Sequence, residues 1–596
     1  MNPYAEMVRG RQHSAASTIN ASLELEQKLD FITKGLSFKA LINFKNYSYT
    51  YYSRTFNPYY YRLDSADPLE SGGYDFQYTS MNQGSTALTL ASNGSSGDRY
   101  MNIQALLNYQ CTFANKHDVG ALFVYLQRDY NVNNPGDYYA TLPQRNQGIA
   151  GRVTYAYDGK YLAEVNMGYN GSENFAKGHR WGFFPSIAVG YNISEEAFFE
   201  PLKNVFSNMK IRASWGLVGN DNIGGACFVY MPTINLTGTG YTTGLDGDIT
   251  YKGPVYSRYG NPEVTWEVGK KVNVGLDLQL FNSLNLTMDY FHETRTDIFQ
   301  ERGTIPQYLG TAGTKVFGNL AAMKNQGFDF AADFNKKIGK DWFISFKGTF
   351  TYAHNEITKY DESPKYAFQS KVGQSANIPS IMISDGLFKD PDDVKNSNQQ
   401  IGGNLSAGDI KYVNISKLYG YDDDIVDISD WVWAKNPTVP EIVYGFGPSI
   451  RWKNLDFSFF FQGVAKTSLF MSGFHPFGDN SLRNVLQFVA NDRWSPTNQN
   501  VDAKYPRLTR KTSLNNTNPG NSGRTSDYWM RDGSFLKLKN MELGYTFKRM
   551  RFYISGSNLL TFSKFDLWDP EQGGGSGLKY PTQRVFNVGF QMTFNN

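Results

Sequence analysis

The chain has only two cysteines, Cys111 and Cys227, in 596 residues. They make neither a disulfide framework nor a CxxC pair, so a stapled secreted fold and a thiol-redox site are both unsupported. The six histidines, His13, His117, His179, His292, His354 and His475, are too dispersed for a local metal motif. There is no GxSxG elbow, no phosphate-binding P-loop and no HExxH helix, which removes the commonest enzyme signatures. Charge of one sign is missing as well. Lys and Arg number 58 against 55 Asp and Glu, a net +3 scattered along the chain, and without a basic stripe nucleic acid is not an expected partner. Long apolar runs are also absent: nothing approaches the roughly 20 consecutive residues of a spanning helix, and mean hydropathy is -0.47.

What the chain has instead is aromatic and glycine content. Tyr and Phe number 40 and 43, Gly reaches 57, and charged residues are only 19%. That mixture favours strands, turns and interfacial rings over helices. Low mean hydropathy does not exclude a membrane barrel, because only alternate side chains of its wall face lipid. Alternation is visible along the chain. Phe586, Val588, Phe590, Met592 and Phe594 interleave with Asn587, Gly589, Gln591 and Thr593. Val272, Val274, Leu276, Leu278 and Leu280 do so with Asn273, Gly275, Asp277 and Gln279, and Leu455, Phe457, Phe459 and Phe461 belong to a further case. The period of two predicts about 17 strands, near 17-29, 36-50, 99-113, 118-130, 147-157, 160-171, 180-193, 207-218, 264-281, 284-298, 326-337, 341-354, 442-452, 455-465, 534-548, 550-562 and 583-594.

A soluble sandwich, jelly roll or propeller would also alternate. Connection lengths separate the readings. Tight turns at Asp158-Gly159, Asn282-Ser283, Ile338-Gly339-Lys340 and Lys453-Asn454 are expected to alternate strictly with long connections near 219-263, 299-325, 355-441 and 466-533. A membrane barrel has this asymmetry, with short turns on the periplasmic rim and large loops outside. The fold class is therefore all-β, a transmembrane antiparallel up-and-down β-barrel with long extracellular loops, read as one unit over 1-596. An odd strand count and a first strand that descends imply a further strand upstream. Met1 to Gly10 lacks the apolar core of a secretory signal, so an export signal is expected upstream too.

Candidate sites lie in the long loops. Tyr230, Tyr241, Tyr251, Tyr256, Trp431 and Trp433 could stack on sugar rings or pack against a lid protein, or serve loop self-packing. Residues 421-430 (YDDDIVDISD) gather carboxylates, with Asp422, Asp424 and Asp427 the candidate ligands of a hard cation such as Ca²⁺, although the Gly and terminal Glu of an EF-hand loop are missing. No other cofactor is expected. Gly573, Gly574, Gly575 and Gly577 read as a flexible outer loop.

Several strings resemble the SusC/RagA class of TonB-linked outer-membrane receptors. Tyr161-Leu162, then Arg180-Trp181-Gly182-Phe183-Phe184-Pro185-Ser186, then Asn192-Ile193-Ser194-Glu195-Glu196 is similar in order and spacing to the family's RYL, RWGYFPS and WRISEE elements. Ile211-Arg212-Ala213-Ser214-Trp215-Gly216 with Gly219-Asn220, Asn261-Pro262 with Thr265-Trp266-Glu267, and Lys324 to Asp329 follow the same order. Asp532 to Asn540, Ser557-Asn558-Leu559 and Asp569-Pro570-Glu571 complete the series. The resemblance implies a barrel of about 22 strands preceded by a plug and TonB box. It also implies import of a large nutrient, a glycan or peptide fragment, with a SusD-like lipoprotein lid and energy from TonB-ExbB-ExbD reached only through that preceding part. Outer-membrane lipids would surround the wall. A passive porin-like channel and a secreted β-rich glycan-binding protein are the alternative readings, and no catalytic role is expected.

Overall fold

The computed structural model describes residues 3-594 apart from 225-226, 307, 309-313, 398, 401-404, 422-423, 428, 474-476, 478-483, 512 and 518-524. Seventeen strands form one antiparallel sheet. The first eight are β1 (Gly10–Lys28), β2 (Leu36–Thr55), β3 (Thr89–Phe113), β4 (His117–Val132), β5 (Gln144–Tyr157), β6 (Tyr161–Ser172), β7 (Trp181–Asn192) and β8 (Phe206–Asn220). The next five are β9 (Glu267–Leu280), β10 (Leu284–Glu301), β11 (Phe317–Ile338), β12 (Trp342–Lys359) and β13 (Ile442–Trp452). The last four are β14 (Leu455–Ala465), β15 (Phe535–Phe547), β16 (Met550–Ser563) and β17 (Val585–Met592). Each pairs with its neighbour in chain order, the up-and-down connectivity expected from the sequence. Among the described residues no ladder joins β1 to β17.

The register aligns side chains of one kind into rows. Tyr109, Ala121, Val153, Val165, Ile187, Trp215 and Val272 stand side by side across β3 to β9. Val153, Val165 and Ile187 are each about half exposed. The row one residue away, Arg152, Asn166, Ser186 and Gly216, faces the opposite side. A one-residue slip of any strand would exchange the two faces, so the apolar rows fix the register. Large aliphatic and aromatic groups on the outside with polar groups within is the inverse of a water-soluble sheet and suits a wall bathed in lipid. No helix among the described residues is long and apolar enough to cross a membrane.

Turns on one rim are tight. Asp158 and Gly159 adopt φ of +52° and +67°, and Phe281 and Asn282 adopt +53° and +51°. These left-handed pairs make tight turns closed by the Lys160 and Ser283 N–H groups on the Tyr157 and Leu280 carbonyls, both at 2.9 Å. The expected strict alternation of lengths fails at one place. The 193-205 connection belongs to this rim, yet it is longer than the 173-180 connection opposite, because two 3₁₀ turns, Ile193–Glu195 and Ala197–Leu202, are inserted there. Wall strands also run past their expected ends on the long-loop side: β1 begins at Gly10 and β3 at Thr89.

The long loops carry their own structure. Hairpins Tyr61–Pro68 with Tyr74–Ser80 and Thr233–Thr243 with Ile249–Arg258 project from them. Most of the buried apolar side chains among the described residues are here too. Met382, Leu387, Ile410, Tyr412, Leu469, Met471, Phe477, Trp494, Tyr505, Trp529 and Phe565 form one core built from the 360-441, 466-534 and 564-584 loops.

Candidate functional site

Inside the wall, charges are offset locally. Arg212 reaches Asp289 at 2.6 Å, Asp277 at 3.1 Å and Asn273 at 3.4 Å. It crosses Gly275 to do so; a Cβ there would lie 2.5 Å from the guanidinium carbon, so glycine leaves the path open. Arg152 donates to Glu164 at 2.8 Å, and Arg551 bridges Asp456 and Glu542. Planar guanidinium forks suit the two-carboxylate bridges of Arg212 and Arg551. A passage lined in this way is polar without a strong field of either sign.

Where the inner face meets the long loops there is a cavity of about 340 Å³ lined by Arg128, Gln144, Asn146, Asn174, Asp221 and Cys227 among others. Asp221 accepts from Asn146 and from Ser172, both at 2.7 Å. Gln144 donates to the Cys227 sulfur at 3.1 Å. Burial pushes the Cys227 thiol up, so it stays protonated at neutral pH and is a poor nucleophile. Cys111 and Cys227 are both free thiols.

Beside this cavity, Phe175, Ile223, Val229, Val264 and Trp266 make a small apolar core. The Trp266 indole donates to the Arg180 carbonyl at 2.9 Å, and Asn261 donates to the Phe317 carbonyl at 2.8 Å. The Asn-Pro and Trp-Glu string therefore anchors the 221-266 loop to the wall. In the larger core, fully buried Asp409 is held by Arg507 at 2.7 and 3.0 Å, by Asn516 at 2.8 Å and by the Ser406 N–H at 2.9 Å. A buried charge is tolerable only with such complete pairing. Tyr412 donates to the Asn515 carbonyl at 2.7 Å, and burial pushes its hydroxyl well above the ordinary tyrosine range. Lys537, fully buried at the top of β15, is paired with Asp569 and Glu571 and holds the 564-584 loop down.

The candidate aromatic residues divide. Trp431 packs against the large core, and Trp433 meets Trp431 edge-on at 4.9 Å and donates to the Ser370 carbonyl at 2.9 Å. Tyr241 and Tyr251 face each other on an exposed hairpin. Tyr256 stacks on Tyr259 at 4.9 Å, and Tyr230 lies edge-on to Phe228 at 6.3 Å. Asp422 lies outside the described residues. Asp424 is paired with Lys417. Asp427 accepts from the Ser429 N–H at 2.6 Å and stands beside Asp430, whose buried carboxylate takes the Ser416 and Asp427 N–H groups at 2.8 and 2.7 Å. Among the described residues no cluster of three potential metal ligands occurs.

A further aromatic group was not singled out from sequence. Tyr366 and Phe368 stack at 5.4 Å, Phe368 and Tyr419 at 4.4 Å, and Tyr366 meets Tyr421 at 4.3 Å. Tyr419 is well exposed. Its only sequence trace is the paired Tyr-x-Phe and Tyr-x-Tyr spacing, which does not reveal that two distant segments meet. The glycine run also differs from expectation. Gly573, Gly575 and Gly577 have positive φ, and the Gly575 N–H bonds the Phe470 carbonyl at 2.8 Å. A Cβ on Gly574 would sit 2.6 Å from that same carbonyl oxygen. The glycines permit close backbone docking and are not a loose spacer.

An open antiparallel wall of seventeen strands, apolar outside, polar inside and crowned by packed loops, defines an outer-membrane barrel protein. Residues 8–559 match the family described as TonB dependent receptor-like, beta-barrel, and the chain belongs to that family. It resides in the outer membrane. It is 27% identical over 477 residues to TonB-dependent receptor P3 of Formosa agariphila, covering 75% of this chain and 45% of that protein. It is 27% identical over 480 residues to TonB-dependent receptor SusC of Bacteroides thetaiotaomicron, covering 74% and 43%. The chain thus spans under half the length of these curated relatives. The structure of the RagAB peptide transporter superposes with a TM-score of 0.68 at 19% identity over 99% of this chain and 63% of that one.

Proposed function

We propose that this chain is the transport wall of a TonB-dependent importer that takes a large nutrient, a glycan or peptide fragment, across the outer membrane beneath a SusD-like surface lipoprotein. The observation that carries the reading is the pairing of a polar, charge-compensated inner face with long loops packed around their own buried core. A simple pore has no need of so rigid a crown; a receptor that captures cargo and receives a lid does. Exposed rings such as Tyr241, Tyr251 and Tyr419 supply flat apolar faces for sugar rings or peptide side chains. Energy from TonB-ExbB-ExbD would enter through segments other than the wall.

Uptake of labelled oligosaccharides and oligopeptides by cells carrying or lacking the gene tests this. Accumulation of one class should depend on the gene and stop when a proton uncoupler collapses the inner-membrane gradient. Gene-dependent entry that persists with uncoupler would establish a passive channel instead. Affinity purification of the protein from membranes should bring a surface lipoprotein with it, and isolation alone under mild detergent would remove the lid from the reading.

A further inference from the structure

The long connection on the short-turn rim has a surface that transport does not explain. Residues 193-205 leave Phe198, Leu202 and Val205 exposed, and Phe281 of the next turn beside them, its N–H bonded to the Val205 carbonyl at 2.8 Å. Phe198 is 68% and Phe281 58% exposed. Four large apolar side chains gathered on an aqueous rim would be costly, and such patches mark contact surfaces.

The segment is fastened to the outward side of the wall. Tyr161 and Tyr191 belong to the apolar outward rows, opposite each other in register, with rings stacked 5.2 Å apart and nearly parallel. Both hydroxyls donate to Glu196, at 2.7 and 3.3 Å, and Lys160 closes the group at 3.3 Å. Phe199 is buried and packs edge-on against Phe206, whose register partner is Leu280 of another outward row. The exposed side chains therefore continue the lipid-facing aromatic belt, which runs on through Tyr157 and His117. Lys203, paired with Glu200 at 2.8 Å, adds a charged group suited to the headgroup layer.

We propose that the 193-205 connection is an interfacial foot that rests on the periplasmic leaflet of the outer membrane, with Phe198, Leu202, Val205 and Phe281 set into the headgroup–acyl boundary of its phospholipid. Continuity with the lipid-contacting belt selects lipid as the occupant over a protein partner. The foot anchors the wall at one sector of its rim, as short amphipathic segments anchor peripheral proteins.

The test uses the full protein reconstituted in phosphatidylethanolamine–phosphatidylglycerol vesicles, with Phe198→Trp and Leu202→Trp variants and a Tyr241→Trp control on the exposed outer hairpin. Vesicles contain lipid brominated either just below the glycerol or near the chain end. Folding is verified by heat-modifiable gel migration. The added fluorescence, measured against the parent protein, should be blue-shifted for the two foot positions and quenched more by shallow than by deep bromine, while the control is unquenched. Water-like unquenched emission would overturn the proposal, as would blue-shifted emission insensitive to bromine, which means cover by protein. Stronger quenching by deep bromine would also overturn the boundary placement.

Discussion

Replacing Asp409 by alanine should open the extracellular loop core while leaving the wall intact. Its carboxylate is wholly buried and accepts two bonds from Arg507, one from Asn516 and one from the Ser406 backbone. Removing it strands the Arg507 guanidinium, itself only 17% exposed, without its counter-ion. Breaking a buried pair from one side costs about 3–5 kcal/mol. At about 1.4 kcal/mol per decade, this raises the opening equilibrium roughly 100- to 4000-fold. Hydrogen exchange of the full protein in detergent or bilayer discs reads this directly. The amides to follow are Gly408, bonded to the Phe388 carbonyl at 2.6 Å, Phe388, bonded to Asp409 at 2.9 Å, and Arg507, bonded to Gly408 at 2.8 Å. All three should accelerate together, whereas amides of β6 and β7, which share no partner with Asp409, should not. Asp409→Asn keeps the shape and should fall between parent and alanine. Acceleration of less than about tenfold in the alanine variant would refute the claim that this pair holds the two loops together.

On the wall, Val165→Arg should cost about 2–4 kcal/mol in a reversible urea titration in lipid, and Asn166→Ala on the other face far less, because only the first places charge in lipid. The 564-584 loop should detach in acid. Burial pushes Asp569 and Glu571 upward, but Lys537 pairs with both and Lys539 with Glu571, and the balance holds both carboxyls below their ordinary range. With folded values depressed, their contribution is complete above the unfolded carboxylate range near pH 4 and is lost as pH falls through the lower folded values. Protease cleavage in this loop should therefore appear only below about pH 4 and shift to higher pH in Lys537→Met; a pH-independent cleavage rate would contradict the linkage. Gly577→Ala, at φ of +70° with a Cβ 2.6 Å from the Trp568 ring, should loosen the same loop at neutral pH, seen as faster proteolysis between β16 and β17. Tyr241→Ala and Tyr251→Ala should leave thermal stability within about 0.5 kcal/mol, while Trp433→Ala should expose the 360-441 loop to protease, since only the tryptophan is tied into packing.

All seventeen wall strands were legible in the sequence because their pattern is local: a strand between lipid and a polar lumen must alternate at every second residue, whatever its partners. The tight turns were legible for the same reason, as with Asp158-Gly159. The inserted 193-205 segment was not, since its 3₁₀ turns are held by Tyr161 and Tyr191 on neighbouring strands. The candidate aromatic residues could be listed but not sorted; whether a loop tryptophan is packed like Trp433 or a tyrosine stands free like Tyr241 depends on what lies across from it. The amino-acid sequence by itself determined the wall, its register and its family, through alternation and short ordered strings. Only the tertiary structure decided the loop core, because Asp409 and Arg507, or Lys537 and Asp569, are distant in sequence, and nothing in their immediate neighbours signals the desolvated pairing that brings them together.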